Sequence, residues 1–124
     1  MTIHLDTSAL VDALTGPRRS IDTLIALIDE GHRPVLSSLA LYEWLRGPRT
    51  RPELAAQEAL FPRAAAVPFG PEQAALAEKL YASVPRPRGR EIDLALAACA
   101  LVDGAAFWTL NRNDFRDVPG LSLI

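Results

Sequence analysis

Asp6, Glu43, Asp93 and the pair Asn111/Asp114 stand at the ends of apolar, strand-like runs or on the helices beside them, spread along the whole 124-residue chain. Carboxylates far apart in sequence but at equivalent points of an α/β layout converge in space, beyond the carboxyl ends of the strands. A divalent cation is the simplest reason to converge them. The set is oxygen-only, with no Cys or His cluster in support, which points to Mg²⁺ or Mn²⁺: hard ions that take carboxylates and water and keep positions open for phosphate oxygens. Each acid alone has an ordinary explanation. Asp93, for example, falls in a first helical turn, where the helix dipole favours negative charge. The functional reading rests on the positions taken together.

The elements that must position these residues alternate along the chain. Thr2 to Leu5 reads as a strand and Ser8 to Leu14 as a short helix closed by Gly16-Pro17. Ser20 is placed to cap a second helix with Ile21, Leu24, Ile25, Leu27 and Ile28 at helical spacing, ending by Gly31. Pro34 to Leu36 is a second strand, after which Ser37 or Ser38 caps a helix to Arg46, stopped by Gly47-Pro48. A helix from Glu53 to Leu60, a weak third strand from Ala64 to Val67 and a helix opening on Pro71 and ending before Pro85 follow. Glu91 to Val102 is the most apolar helix, Ala105 to Leu110 a fourth strand and Leu121 to Ile124 a short last one. The expectation is one α/β domain over residues 1–124, with a mainly parallel sheet of four to five strands covered on both faces. Asp6 then follows strand one and Asn111 strand four, while Glu43 and Asp93 lie on helices beside that edge.

Composition bounds the rest. A hydrophobic content of 49% with 23% charged residues is that of a folded globular domain. No apolar run reaches the roughly 18 residues of a membrane span, and the start carries no signal-peptide pattern, so a cytoplasmic protein is expected. The one cysteine, Cys99, lies in an alanine-rich helix and reads as a buried, unreactive thiol. A net charge of −2 argues against a broad basic patch. Arginine nevertheless outweighs lysine, which occurs only at Lys79, and its planar fork suits phosphate. Arg88, Arg90 and Arg112 flank the acids and are the candidates for contact with nucleic-acid phosphates; Trp44, beside Glu43, could stack a base or pack in a core.

Four blocks carry a family resemblance: Leu5-Asp6-Thr7-Ser8, Leu41 to Gly47, Glu91 to Ala98, and Thr109 to Phe115 followed by Val118-Pro119-Gly120-Leu121. In this order they resemble the signature blocks of PIN-domain endoribonucleases, and most of all the VapC toxins of bacterial toxin–antitoxin pairs. The resemblance implies a three-layer α/β/α sandwich, Mg²⁺- or Mn²⁺-dependent RNA cleavage leaving a 5′-phosphate and a 3′-hydroxyl, a homodimer, and a small VapB-like antitoxin that blocks the site. It also implies that Asp6, Glu43 and Asp93 hold the metal, with Asn111 or Asp114 as the fourth site residue. Thr7 and Thr109 would orient the acids or a water.

Other chemistries are weaker. Histidine acid–base cleavage wants a positioned pair, and His4 and His32 fall in a strand and a helix-end turn. A phosphorylated receiver domain needs an acid after strand three, where Phe69-Gly70 stands, and a dehalogenase-type phosphatase needs a second Asp where Ser8 stands. The serious rival is a non-catalytic PIN-like interaction module whose metal site has decayed at Asn111.

Overall fold

The computed structural model describes all 124 residues. Three strands, β1 (Thr2–Leu5), β2 (Arg33–Val35) and β3 (Ala106–Trp108), form a parallel sheet in the order β2-β1-β3. Between β1 and β2 run α1 (Thr7–Leu14) and α2 (Ile21–Asp29). Between β2 and β3 run α3 (Ser38–Arg46), α4 (Arg51–Leu60), α5 (Pro71–Ser83) and α6 (Glu91–Val102). The two crossovers step across the sheet in opposite directions. The second crossover turns back only after Val67, which pairs beyond β2. Since parallel crossovers are right-handed, α1 to α4 share one face, where α1 contacts α2, α3 and α4, and α5 and α6 pack together over the other, giving the expected α/β/α layering. Ile3, His4 and Leu5 are all buried, as are Ala106, Phe107 and Trp108, which fits strands covered on both sides.

Two expected strands shrink to single bridges. The stretch Ala64–Val67 is mostly a 3-10 turn (Arg63–Ala65), and only Val67 pairs, with Ser37; Leu123 alone of the last segment pairs, with Phe107. Both lie at the outer edges of the sheet, where one bridge closes the open side of the strand and no neighbour extends it. The third departure is β3, which ends at Trp108, so that Leu110 stands outside the sheet and exposed.

Local signals fix most helix starts. The Ser37 side chain accepts the Ala40 N–H at 3.1 Å, and Thr50 and Glu53 form a reciprocal capping box, which starts α4 two residues earlier than expected. Ser20 does not cap α2 with its side chain; its hydroxyl donates to Asp12 at 2.6 Å. Helix α6 is apolar all round, with Leu94 through Ala100 buried without a break, and it packs against α5, α3, β1 and β3. Its alanines let neighbours approach closely on every side. Trp44 is wholly buried in the same core, so base stacking by this side chain is ruled out; the Arg49 guanidinium lies over its ring at 4.3 Å.

Candidate metal centre

Asp6 sits at the junction of β1 and α1. Its backbone N–H donates to Trp108 at 2.8 Å, tying the ends of β1 and β3 together and bringing Thr109 alongside. The Asp6 side chain does not cap α1. Instead Oδ2 accepts two hydroxyls, Thr109 Oγ1 at 2.7 Å and Ser8 Oγ at 2.8 Å. These hydroxyls are themselves held: Ser8 Oγ accepts the Leu110 N–H at 3.1 Å, and Thr109 Oγ1 accepts that of Asn111 at 2.9 Å. A carboxylate only 5% exposed is thereby fixed in one orientation. Buried charge of this kind is tolerated only when hydrogen-bonded.

Glu43, on α3, is held from α1: Thr7 Oγ1 donates to its Oε1 at 2.7 Å, while Arg46, one turn further on, lies 3.6 Å from its Oε2. Asp93 is in the first turn of α6, half-buried. Burial, and then the charges of Asp6, Asp114 and Glu43, push its carboxyl from the ordinary 3.8 up to about 6, against a smaller opposing pull from Arg90. Asn111 and Asp114 are both exposed, on the turn after β3.

No three of the His, Cys, Asp and Glu side chains close into a ligand shell as they stand. The oxygens available to a cation are those of Asp6, Glu43 and Asp93, with Asp114 next in reach of their charges. The histidines are engaged elsewhere. His4 is buried and bonded through Nε2 to Asp103 at 2.6 Å, at the end of α6 opposite Asp93, about 15 Å away at 1.5 Å per residue. His32 contacts the chain amino terminus at 3.2 Å.

The PIN domain family matches residues 3–121. The chain belongs to that family. Among solved structures similar to this PIN domain are DNA-bound VapBC2 from Rickettsia felis (18% identity, TM-score 0.76, covering 100% of this chain and 98% of that one) and DNA-bound VapBC from Salmonella typhimurium (19%, 0.76, 100% and 97%). A toxin–antitoxin complex from Klebsiella pneumoniae is similar at 20% identity and a TM-score of 0.74, covering 98% and 95%. At these identities the likeness is one of fold. No curated protein matches. No helix of this PIN domain is long and apolar enough to cross a membrane.

The sequence gathers Asp6, Glu43, Asp93 and either Asn111 or Asp114 at one edge; in the structure Asp6, Asp114 and Glu43 act on the Asp93 carboxyl, and Asn111 lies exposed on the same turn as Asp114. Sequence reasoning assigned Thr7 and Thr109 to orient acids, and each donates to one. Ser8 was missed. A serine at a helix start reads as a local cap, and only the proximity of Leu110 and Thr109, about a hundred residues on, shows it bridging two segments. Arg88 and Arg112 are exposed, whereas the Arg90 guanidinium is engaged by Asp117 and two carbonyls.

Proposed function

We propose that this PIN domain is a metal-dependent endoribonuclease and the toxin of a VapBC-type pair, acting in the cytoplasm as a homodimer. The observation that carries the reading is Asp93, whose carboxyl is raised first by burial and then by three other acids at the carboxyl edge of a parallel sheet. Like charges gathered without a cation are strained, and oxygen-only donors with room for water fit a hard ion, so the donor set suits Mg²⁺ or Mn²⁺. Asp6, Glu43 and Asp93 would hold it. Such an ion polarises a phosphoryl oxygen and lowers the pKa of a water.

The chain's own residues supply orientation. Thr109 and Ser8 immobilise Asp6, Thr7 immobilises Glu43, and Asp93, titrating near 6, gives up its proton readily at neutral pH. Arg88 and Arg112, exposed on either side of the acids, are suited to RNA phosphates. The antitoxin reading draws on exposed apolar side chains, Ile25 and Ile28 of α2 and Tyr42 and Leu45 of α3, Tyr42 by 60%, the last two on the helix that carries Glu43. Apolar burial and selection for positive charge would then act together. The similar structure from Klebsiella pneumoniae is of a toxin–antitoxin complex, and those from Rickettsia felis and Salmonella typhimurium are of DNA-bound VapBC proteins.

The rival reading, a non-catalytic module, draws on the unclosed ligand set and on Asn111. Millimolar Mn²⁺ should raise the melting temperature of the wild-type chain, and Asp6→Asn and Asp93→Asn should abolish both that rise and the release of 5′-phosphate ends from RNA. A folded protein indifferent to Mn²⁺ would favour the module.

A further inference from the structure

Arg90 immediately precedes α6, three residues before Asp93. Its guanidinium makes a two-pronged pair with Asp117, Nη1 to Oδ2 at 2.9 Å and Nη2 to Oδ1 at 2.7 Å. The same nitrogens donate to two carbonyls, Nη1 to Pro85 at 3.2 Å and Nη2 to Asp114 at 2.9 Å. One side chain therefore joins three segments: the loop before α6, the start of that helix, and the turn that carries Asp114.

That turn has few other polar anchors. Its backbone hydrogen bonds run from Asp114 to Asn111, from Phe115 to Arg112 and from Val118 to Phe115, all internal to the turn. Phe115 is buried against Phe107, ring centroids 4.8 Å apart, and Val118 is buried too, so the base of the turn is held in the core. The side-chain hydrogen bonds that tie its orientation to the start of α6 are those of Arg90. The Arg90 fork fixes that orientation, and a fork rather than a point charge is needed to serve a carboxylate and two carbonyls at once.

We infer that Arg90 is a positioning residue: through Asp117 and the Asp114 carbonyl it holds the turn from Arg112 to Asp117 against the start of α6, and so sets where the Asp114 carboxylate lies relative to Asp93. The inference rests on the metal-dependent reading and sharpens it. Asp114, not Asn111, completes the acidic edge, and Arg90 works through the protein rather than on RNA. Groups that orient metal-binding side chains from outside typically contribute about 10- to 100-fold in affinity or activity.

The test is a Mn²⁺ titration followed by melting temperature, alongside the rate of RNA cleavage, for wild type, Arg90→Lys, Asp117→Asn, Asp114→Ala and the double variant Arg90→Lys/Asp114→Ala. Lysine keeps the positive charge and loses the fork. Arg90→Lys should therefore need about 10-fold more Mn²⁺ or beyond for half its effect, with Asp117→Asn shifting the same way, while both stay folded in EDTA. The double variant should be no worse than Asp114→Ala alone, because Arg90 acts through Asp114. Superimposable wild-type and Arg90→Lys titrations, or losses that add in the double variant, would overturn the inference and leave the metal reading standing. A wild-type chain that does not respond to Mn²⁺ would overturn both.

Discussion

Replacing Asp93 by Asn should stabilise the metal-free protein at neutral pH, although Asp93 is proposed as a metal ligand. In the native state its carboxyl titrates at about 6, and in the unfolded chain near the ordinary 3.8. Between those values the native state binds more protons than the unfolded one, so stability falls as pH rises through the window, and above pH 6 the whole penalty is present. The difference converts, at about 1.4 kcal/mol per pKa unit, to about 3 kcal/mol. The side chain is only half-buried, and solvent screening together with the favourable dipole at the start of α6 lowers this to about 1–2 kcal/mol. For a domain of this size that is roughly 4–8 °C in melting temperature. Thermal unfolding in EDTA at pH 7.5 should show Asp93→Asn melting above wild type, and at pH 4 the gap should close. Adding Mn²⁺ at pH 7.5 should reverse the order, because only the wild type retains the ligand. An Asp93→Asn protein that melts at or below wild type at pH 7.5 without metal would refute the strain argument.

Three further outcomes are expected. Thr109→Val leaves the buried Asp6 without one of its two hydroxyl donors and should cost about 1–3 kcal/mol in urea unfolding; a wild-type midpoint would show that Ser8 alone satisfies the carboxylate. Trp44→Ala empties a fully buried indole site and should cost about 3–5 kcal/mol, read as a lower melting temperature in far-ultraviolet circular dichroism. Burial pushes the Cys99 thiol up to about 11, so a disulfide thiol reagent at pH 8 should label it only after denaturation; rapid labelling of the folded protein would contradict its burial.

Much of the fold was legible because local and global signals agree. Ser37 and Pro71 begin helices where a side chain or a fixed φ settles an otherwise unpaired helix end, and Glu91 to Val102 is apolar enough that only a buried helix suits it. The edge strands were not legible in the same way. Ala64–Val67 has one β-branched residue and a proline on each side, and pairing of Val67 alone depends on where Ser37 happens to end up. The acids of the site could be picked out by type and by place at strand ends. Their supports could not: Ser8 acts on residues about a hundred positions away, and Arg90 finds Asp117 twenty-seven positions on, distances over which a single sequence carries no pairing signal.

The unbroken burial of α6 also divides the acidic edge by timescale. Asp93 rides on a helix whose amides, from Leu94 to Ala100, can exchange with solvent only when the core itself opens, and Asp6 is fastened to the central strand. Asp114 belongs to an exposed turn tied to α6 by the Arg90 fork. One flank of the site therefore keeps its shape for as long as the protein stays folded, while the other is held by surface hydrogen bonds that can break without opening the core. If the chain is the proposed nuclease, adjustment to differently shaped substrates falls to the turn, with the helix as the fixed wall against which it moves.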